Sequence, residues 1–174
     1  MDNAEFRTER LLIRHLRLSD ADQLVAVTND IEIARHLVRT PHPYTRDDAL
    51  ALIARGMQLQ SNVWAIEDSQ LVGVIGLRGE FGFWLGKEFW GRGYATEAGA
   101  AIIDYGFEKF HFEHLNASPL CQNHRSQRVL DKLGFEKIGE TSVFSIGQSK
   151  TVEALQMRLE KSRWRSIRAD LRSA

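Results

Sequence analysis

The segment Trp90-Gly91-Arg92-Gly93-Tyr94-Ala95-Thr96 constrains the architecture more than any other part of the chain. It lies between an aromatic run, Glu80-Phe81-Gly82-Phe83-Trp84-Leu85, and a stretch in which Ala98, Ala101, Ile102 and Tyr105 recur at helical spacing. The order is strand, glycine loop, helix. Glycine tolerates the dihedral angles that turn successive N–H groups toward one point, and a helix N-terminus adds partial positive charge there. The segment therefore reads as a main-chain cradle for a pyrophosphate; the alternative is a tight turn whose glycines serve sterics alone. No Lys-Ser or Lys-Thr follows the second glycine, which excludes a Walker loop. A Rossmann loop fits poorly, because a third glycine is missing and antiparallel strands are expected before the segment. A different phosphate-bearing ligand is needed.

A chain of 174 residues accommodates one domain, and 43% hydrophobic with 26% charged residues is an ordinary globular balance. The 23 Lys and Arg cancel the 23 Asp and Glu, so no surface-wide field awaits nucleic acid, and an anion must be held by a local site. The single cysteine, Cys121, allows neither an internal disulfide nor a thiolate set for zinc. No metal is expected, and a reducing cytoplasm is the expected location. The opening residues are polar and acidic, and no apolar run approaches the ~20 residues that cross a bilayer, so neither secretion nor a membrane partner is expected.

The remaining pattern predicts the elements around the loop. Leu11-Leu12-Ile13 before His15 and Leu16 predicts a first strand, and Ser19-Asp20-Ala21-Asp22 a capped helix start. Thr45 and Asp48 repeat that logic for a helix through Met57. Trp64-Ala65-Ile66 and Leu71-Val72-Gly73-Val74-Ile75 flank a polar break of hairpin length, Arg78-Gly79 turns the chain again, and residues 80–85 form a third strand of the meander. A helix is expected over about 95–110, a strand over 115–120, and a helix capped by Asn123 and ended by Gly134-Phe135. Two last strands are expected, over 135–138 and around Leu155, Met157 and Leu159.

Several separated stretches, Thr8-Glu9-Arg10-Leu11-Leu12-Ile13-Arg14, Gly82-Phe83-Trp84-Leu85, the loop from Trp90 to Ala98, and Asn123 through Phe135, resemble in order and spacing the GCN5-related N-acetyltransferase (GNAT) superfamily. Within it they resemble the RimJ/RimL-type branch of ribosomal-protein N-terminal acetyltransferases, and the likeness spans residues 7–159. The resemblance implies a single-domain α/β (α+β) fold with a mixed, mostly antiparallel twisted sheet and helices on both faces. The acetyltransferase domain would occupy residues 1–159 and a basic, helical C-terminal tail residues 160–174. It also implies acetyl-CoA as cosubstrate. Phe83, Trp84 and Leu85 would lie along the pantetheine arm, and the amides of Gly91, Arg92, Gly93, Tyr94, Ala95 and Thr96 would take the pyrophosphate. Asn123 would bond the arm, and Ser126 would assist the departing thiolate. This sequence departs from the family pattern in two places. Trp90 stands where the family loop begins with Gln or Arg, and Leu130 stands where many relatives place a tyrosine acid.

The implied chemistry is direct attack of an uncharged amine on the thioester carbon, without metal. An α-amine titrates near ~8 against ~10.4 for lysine, so a protein N-terminus needs less help in losing its proton. Glu80 is the expected base, with a solvated strand-end carboxylate as its competing reading and Glu88 as a weaker alternative. Tyr44, Trp64 and Phe144, with His42, fall in segments that by resemblance frame the acceptor groove; Trp64 also has the standing of a core residue. Arg92, Arg125, Arg128 and Lys132 put positive charge near the cradle. The tail carries Trp164, Ile167 and Leu171 on one stripe, expected to pack on the domain or on a twin subunit, so the protein is a monomer or a homodimer. The acceptor is a primary amine, either a protein N-terminus or a small molecule such as a polyamine, aminoglycoside or amino acid. A non-catalytic acetyl-CoA-binding module is the reading from another class.

Overall fold

The computed structural model describes residues 5–57, 62–77 and 80–173. In chain order the strands and helices are β1 (Phe6–Arg7), β2 (Leu12–His15), α1 (Ala21–Thr28), α2 (Ile31–Ala34), α3 (Arg46–Met57), β3 (Val63–Asp68) and β4 (Gln70–Leu77). There follow β5 (Phe81–Leu85), α4 (Tyr94–Lys109), β6 (His114–Ala117), α5 (His124–Lys132), β7 (Glu136–Ser145), β8 (Lys150–Glu160) and α6 (Lys161–Ser173). The Arg78-Gly79 turn and the opening residues lie outside the described residues.

The expected α/β class holds, but the strands divide into two sheets, β1-β2-β3-β4-β5 and β6-β8-β7, with every recorded pair antiparallel. Ser69, at φ 57°, turns β3 into β4, and Asp68 faces Gln70 across the turn. The period of two along β3 explains the layers. Trp64 and Ile66 join a core cluster with Ile102 and Ile103 of α4, whereas Ala65 joins one with Leu24 of α1 and Ile53 of α3. Helices thus cover both faces of the larger sheet. Gly73 is fixed by close approach: a Cβ there would come within 2.1 Å of the Trp84 carbonyl oxygen.

The decisive feature is the end of that sheet. β5 pairs with β4 on one side only and is not paired with β6. Its other edge presents main-chain groups to a gap between the two sheets.

Several expected caps are present. Thr45 and Asp48 exchange bonds at the start of α3, with Thr45 N–H to Asp48 Oδ2 at 2.8 Å and Asp48 N–H to Thr45 Oγ1 at 3.2 Å. Asn123 Oδ1 accepts the Ser126 N–H at 3.1 Å to open α5. Gly134, at φ 87°, closes it while the Phe135 N–H reaches back to the Leu130 carbonyl at 3.0 Å. The start of α1 differs from expectation: a 3-10 turn over Leu18–Asp20 precedes it, and Asp20 rather than Ser19 supplies the oxygen, accepting the Arg17 N–H at 2.8 Å. Asp20 is committed to a buried ion pair with Arg14, at 2.8 Å, and Arg14 also reaches Glu67 at 2.6 Å, tying β2 to β3 and to the first helix.

The last two strands run much longer than expected. A register shift between Lys137 and Gly139 breaks the alternation, which hides the continuity of β7 in the sequence. The basic tail packs on its own domain. Trp164 is buried and donates its indole N–H to Asp104 of α4 at 2.8 Å, and Arg163 donates to the Gly134 carbonyl at 2.8 Å. The Leu171 side chain lies outside the described residues. Among the described residues, no helix is long and apolar enough to cross a membrane.

Candidate functional site

The glycine loop forms an amide concavity. Gly91 and Gly93 adopt φ 76° and 81°, and Gly93 stands at the N-cap of α4, a helix of 16 residues. Its carbonyl accepts the Thr96 N–H at 3.1 Å and the Glu97 N–H at 3.0 Å, so the Thr96 amide is used within the helix. Among the described residues, the amides of Gly91, Arg92, Gly93, Tyr94 and Ala95 take no acceptor from the chain. Orphan N–H groups at the positive end of a helix are suited to an anion.

Side chains hold this loop from outside. Arg10, in the turn after β1, donates to the Arg92 carbonyl at 2.9 Å and pairs with Glu97 at 2.6 Å, while its guanidinium lies 4.8 Å from the Tyr94 ring centre. Glu97 also accepts from the Arg10 N–H at 2.9 Å and from the Thr8 hydroxyl. Burial pushes the Glu97 carboxyl up, but the hydrogen bonds from Thr8 and Arg10 together outweigh it, and the group is held below its ordinary value. The Tyr94 hydroxyl donates to Asp68 at the end of β3.

A cavity of about 300 Å³ runs from the loop along β5 to α5. Arg125, Arg128 and Lys132 outnumber the one lining carboxylate, Glu32, so its wall is net positive. Arg125 lies over Trp90 at 4.6 Å, and the Trp90 indole N–H donates to the Leu85 carbonyl at 3.0 Å. A second cavity of about 320 Å³ opens beside the other end of β5. Its walls include Val38, Val74, Leu120 and Leu130, and its charged residues are Glu80 and Arg39, which stand 4.0 Å apart. The Ser118 hydroxyl donates to Glu80 at 2.8 Å. His36, Leu37, Phe83, Trp84, Asn123 and Ser126 line both cavities and mark where they meet.

The expected residues fall into two groups. Phe83, Trp84, Leu85, Gly91, Gly93, Tyr94, Ala95, Thr96, Asn123 and Ser126 come together on the first cavity. Arg92 does not line it: its guanidinium lies 5.6 Å from the centre of the Phe89 ring. Glu80 sits at a bend just before β5 and lines the second cavity alone.

The three aromatic residues expected around the acceptor line neither cavity. Trp64 is 2% exposed and packs edge-on against Phe6 and Tyr105, because its position on β3 faces α4. Tyr44 is 6% exposed and held by Asn29, and burial pushes its hydroxyl up to about 12. Phe144 is 63% exposed on β7, an outer strand of the smaller sheet.

Sequence reading missed His36, which follows α2. Its Nδ1 is buried with no partner in the described structure, and its Nε2 accepts from Arg35 at 3.3 Å. Burial, with Arg35 and Arg125 against the opposing Glu32, pushes the imidazole below its ordinary value. A lone histidine between short helices carries no periodic signal that could have found it. Trp90 was noted only as a departure from the family loop, and its bond to the Leu85 carbonyl depends on a turn invisible in sequence.

Comparisons with known proteins place the chain in a family. The model of the acetyltransferase (GNAT) domain matches residues 10–136. An uncharacterized N-acetyltransferase of Bacillus licheniformis is 29% identical over 168 residues, covering 88% of this chain and 94% of its own. Among solved structures, a ribosomal-protein-S5-alanine acetyltransferase of Vibrio fischeri matches with a TM-score of 0.74 at 20% identity, over 92% of this chain and 98% of that one. A spermidine N-acetyltransferase of Vibrio cholerae, in complex with CoA and spermine, matches with a TM-score of 0.73 at 18% identity, over 90% and 99%. At those identities the two structures support the fold alone. The family match is of another kind, since it runs from the Arg10 clamp through the loop and α5 to Glu136. The chain belongs to the GNAT family and is an N-acetyltransferase.

Proposed function

We propose that this enzyme moves the acetyl group of acetyl-CoA onto the α-amine of a peptide or protein N-terminus. The residues present fit the cosubstrate. Free amides from Gly91 to Ala95 suit a pyrophosphate, and the net positive wall of the first cavity suits its charge. The unpaired edge of β5 suits an amide-bearing arm that joins it as a further strand. The cosubstrate supplies an activated acyl carbon, so the chain's work is to bind, orient and move protons.

In this reading Phe83, Trp84 and Leu85 align the arm, and the Asn123 side-chain amide contacts it while its oxygen caps α5. Main-chain donors on the β5 edge near Trp84 and Leu85 face the charge that develops on the acyl oxygen, where one such donor is typically worth ~3 kcal/mol. Ser126, present in both cavities, donates a proton toward the leaving sulfur in place of the tyrosine that Leu130 removes. Glu80, set by Ser118, draws the acceptor's ammonium into the second cavity.

The observation that carries the acceptor class is the charge balance of that second cavity. One carboxylate stands against one arginine, and the remaining wall is largely apolar. A polycation would bring several charges into a space with one counter-charge, whereas a peptide end brings one ammonium and an apolar or small side chain. The test is thiol release from acetyl-CoA with a panel of acceptors. Peptides with free N-termini are expected to turn over, and their N-acetylated counterparts are not. Turnover confined to polyamines or aminoglycosides would overturn the acceptor class, and binding of acetyl-CoA without turnover on any amine would overturn the transfer itself.

A further inference from the structure

We propose that His36 is the general base of the transfer, taking the acceptor's proton where the two cavities meet; the proposal rests on the acetyl-transfer reading above. The position carries it first. His36 lines both cavities, whereas Glu80, the base expected from sequence, lines the acceptor side only and is already engaged by Ser118 and Arg39. A base must stand within hydrogen-bond reach of the attacking nitrogen, or one water away, and that nitrogen lies at the junction.

The second support is an unmet hydrogen bond. Nδ1 of His36 is buried with no partner in the described structure, so a small turn of the ring must bring it to the junction, where a ligand or a bound water meets its unmet hydrogen bond. The main chain that carries the ring is also held in place. The His36 N–H donates to the Ile33 carbonyl at 2.9 Å, Gln148 donates to the Arg35 carbonyl at 2.7 Å, and the Ile146 N–H donates to the Val38 carbonyl at 2.8 Å. The turn between β7 and β8 therefore pins the segment from the far side of the chain. For Nδ1 to offer its lone pair the proton must sit on Nε2. That requires only that Arg35, half-exposed and paired with Glu32 at 2.8 Å, give up a 3.3 Å contact.

The step balances. Nδ1, directly or through one water, takes one proton from the acceptor's ammonium, and the freed nitrogen lone pair forms the C–N bond. The C–S bond breaks with its electron pair on sulfur, the sulfur receives the Ser126 hydroxyl proton, the amine's second proton restores that hydroxyl, and the imidazolium returns the first to solvent. The charged groups facing the ring are Glu32 and Arg35 from its own segment and Arg125 from α5. Burial together with the two arginines keeps the ring neutral and proton-accepting at pH 7.

The test uses the full chain with a peptide acceptor. In the wild type, kcat/KM is expected to fall on the acid side with a midpoint below the ordinary histidine value of 6.5, because the protonated ring cannot act as base. His36→Gln should lower kcat by about 100-fold and abolish that acid limb, while acetyl-CoA affinity measured by calorimetry stays within about twofold. His36→Ala should regain turnover on addition of imidazole, a response that a merely structural role does not give. A Gln variant with wild-type kcat and an unchanged acid limb, an Ala variant that imidazole does not rescue, or a wild-type acid limb with its midpoint at or above 6.5 overturns the assignment. The last arm needs no variant to fold. Failure of the wild type to bind acetyl-CoA at all would instead remove the reading on which the assignment stands.

Discussion

The two cavities that meet along β5 are built from different materials. The first is made at its loop end from main chain: two left-handed glycines, the opening amides of α4, and an outer clamp in which Arg10 holds the Arg92 carbonyl and Glu97. The second is made from side chains brought together from distant segments, Val38 before α3, Val74 on β4, Ser118 after β6 and Leu130 on α5. In the reading proposed above the main-chain site takes the shared cosubstrate, and it tolerates little change because its atoms are the fold itself. A side-chain site can be altered residue by residue without disturbing the sheet. The difference between the two cavities is open to experiment.

The largest effect is expected at Gly93. A valine there would be β-branched at φ 81°, a conformation that costs an L-residue roughly 1–2 kcal/mol, with its Cβ 3.4 Å from Arg10 Nη2. The loop would relax and turn amides away. Losing two amide–phosphate bonds at about 1.5 kcal/mol each weakens acetyl-CoA binding by roughly 100-fold. Calorimetry on Gly93→Val checks this, and an unchanged affinity would break the claim that the first cavity is a main-chain site.

The same contrast decides what could be read from the sequence. The glycine loop and its amide concavity were legible because glycine spacing after an aromatic strand and before a small-residue helix is a local pattern, and Asn123 and Gly134 announce the ends of α5 by the same kind of chemistry. The hairpin of β3 and β4 was legible from its polar break. The division into two sheets was not, since nothing in residues 81–85 says that β5 will lack a second partner. Nor was the second cavity. Tyr44, Trp64 and Phe144 were natural choices for an aromatic wall, yet the facing of a strand residue depends on register and on which helix arrives above it. Trp64 faces α4, Tyr44 is covered, and Phe144 points to solvent. His36 owes its place to contacts with residues 146–148, more than a hundred positions away along the chain.

A smaller effect is expected where the clamp, rather than the cradle, is changed. Glu97→Gln keeps an oxygen for Thr8 but removes the charge that Arg10 pairs with. Arg10 is half-exposed, so solvent screens the pair and the loss is limited to roughly fivefold in acetyl-CoA affinity. The sign of the pH dependence follows from the depressed carboxyl. Its contribution is present above the unfolded value near 4.5 and is lost as pH falls through the lower folded value. Wild-type affinity and thermal stability should therefore drop on acidification below about pH 4.5 by an increment that the Gln variant lacks. Parallel acid profiles for the two proteins would show that the clamp does not tension the loop.

The smallest effect is expected at Phe144, and it tests the other side of the comparison. The ring is 63% exposed, lies opposite Thr151 in the register of β7 and β8, and lines neither cavity. Phe144→Ala removes little buried area, so stability should change by no more than about 0.5 kcal/mol and the acceptor KM by less than about twofold. A rise of fivefold or more in the acceptor KM, with acetyl-CoA affinity unchanged, would mean that the acceptor's body extends beyond the second cavity along the outer strand β7. The side-chain site would then be larger than the enclosed space suggests, and a long peptide rather than a short amine would be the acceptor that uses it.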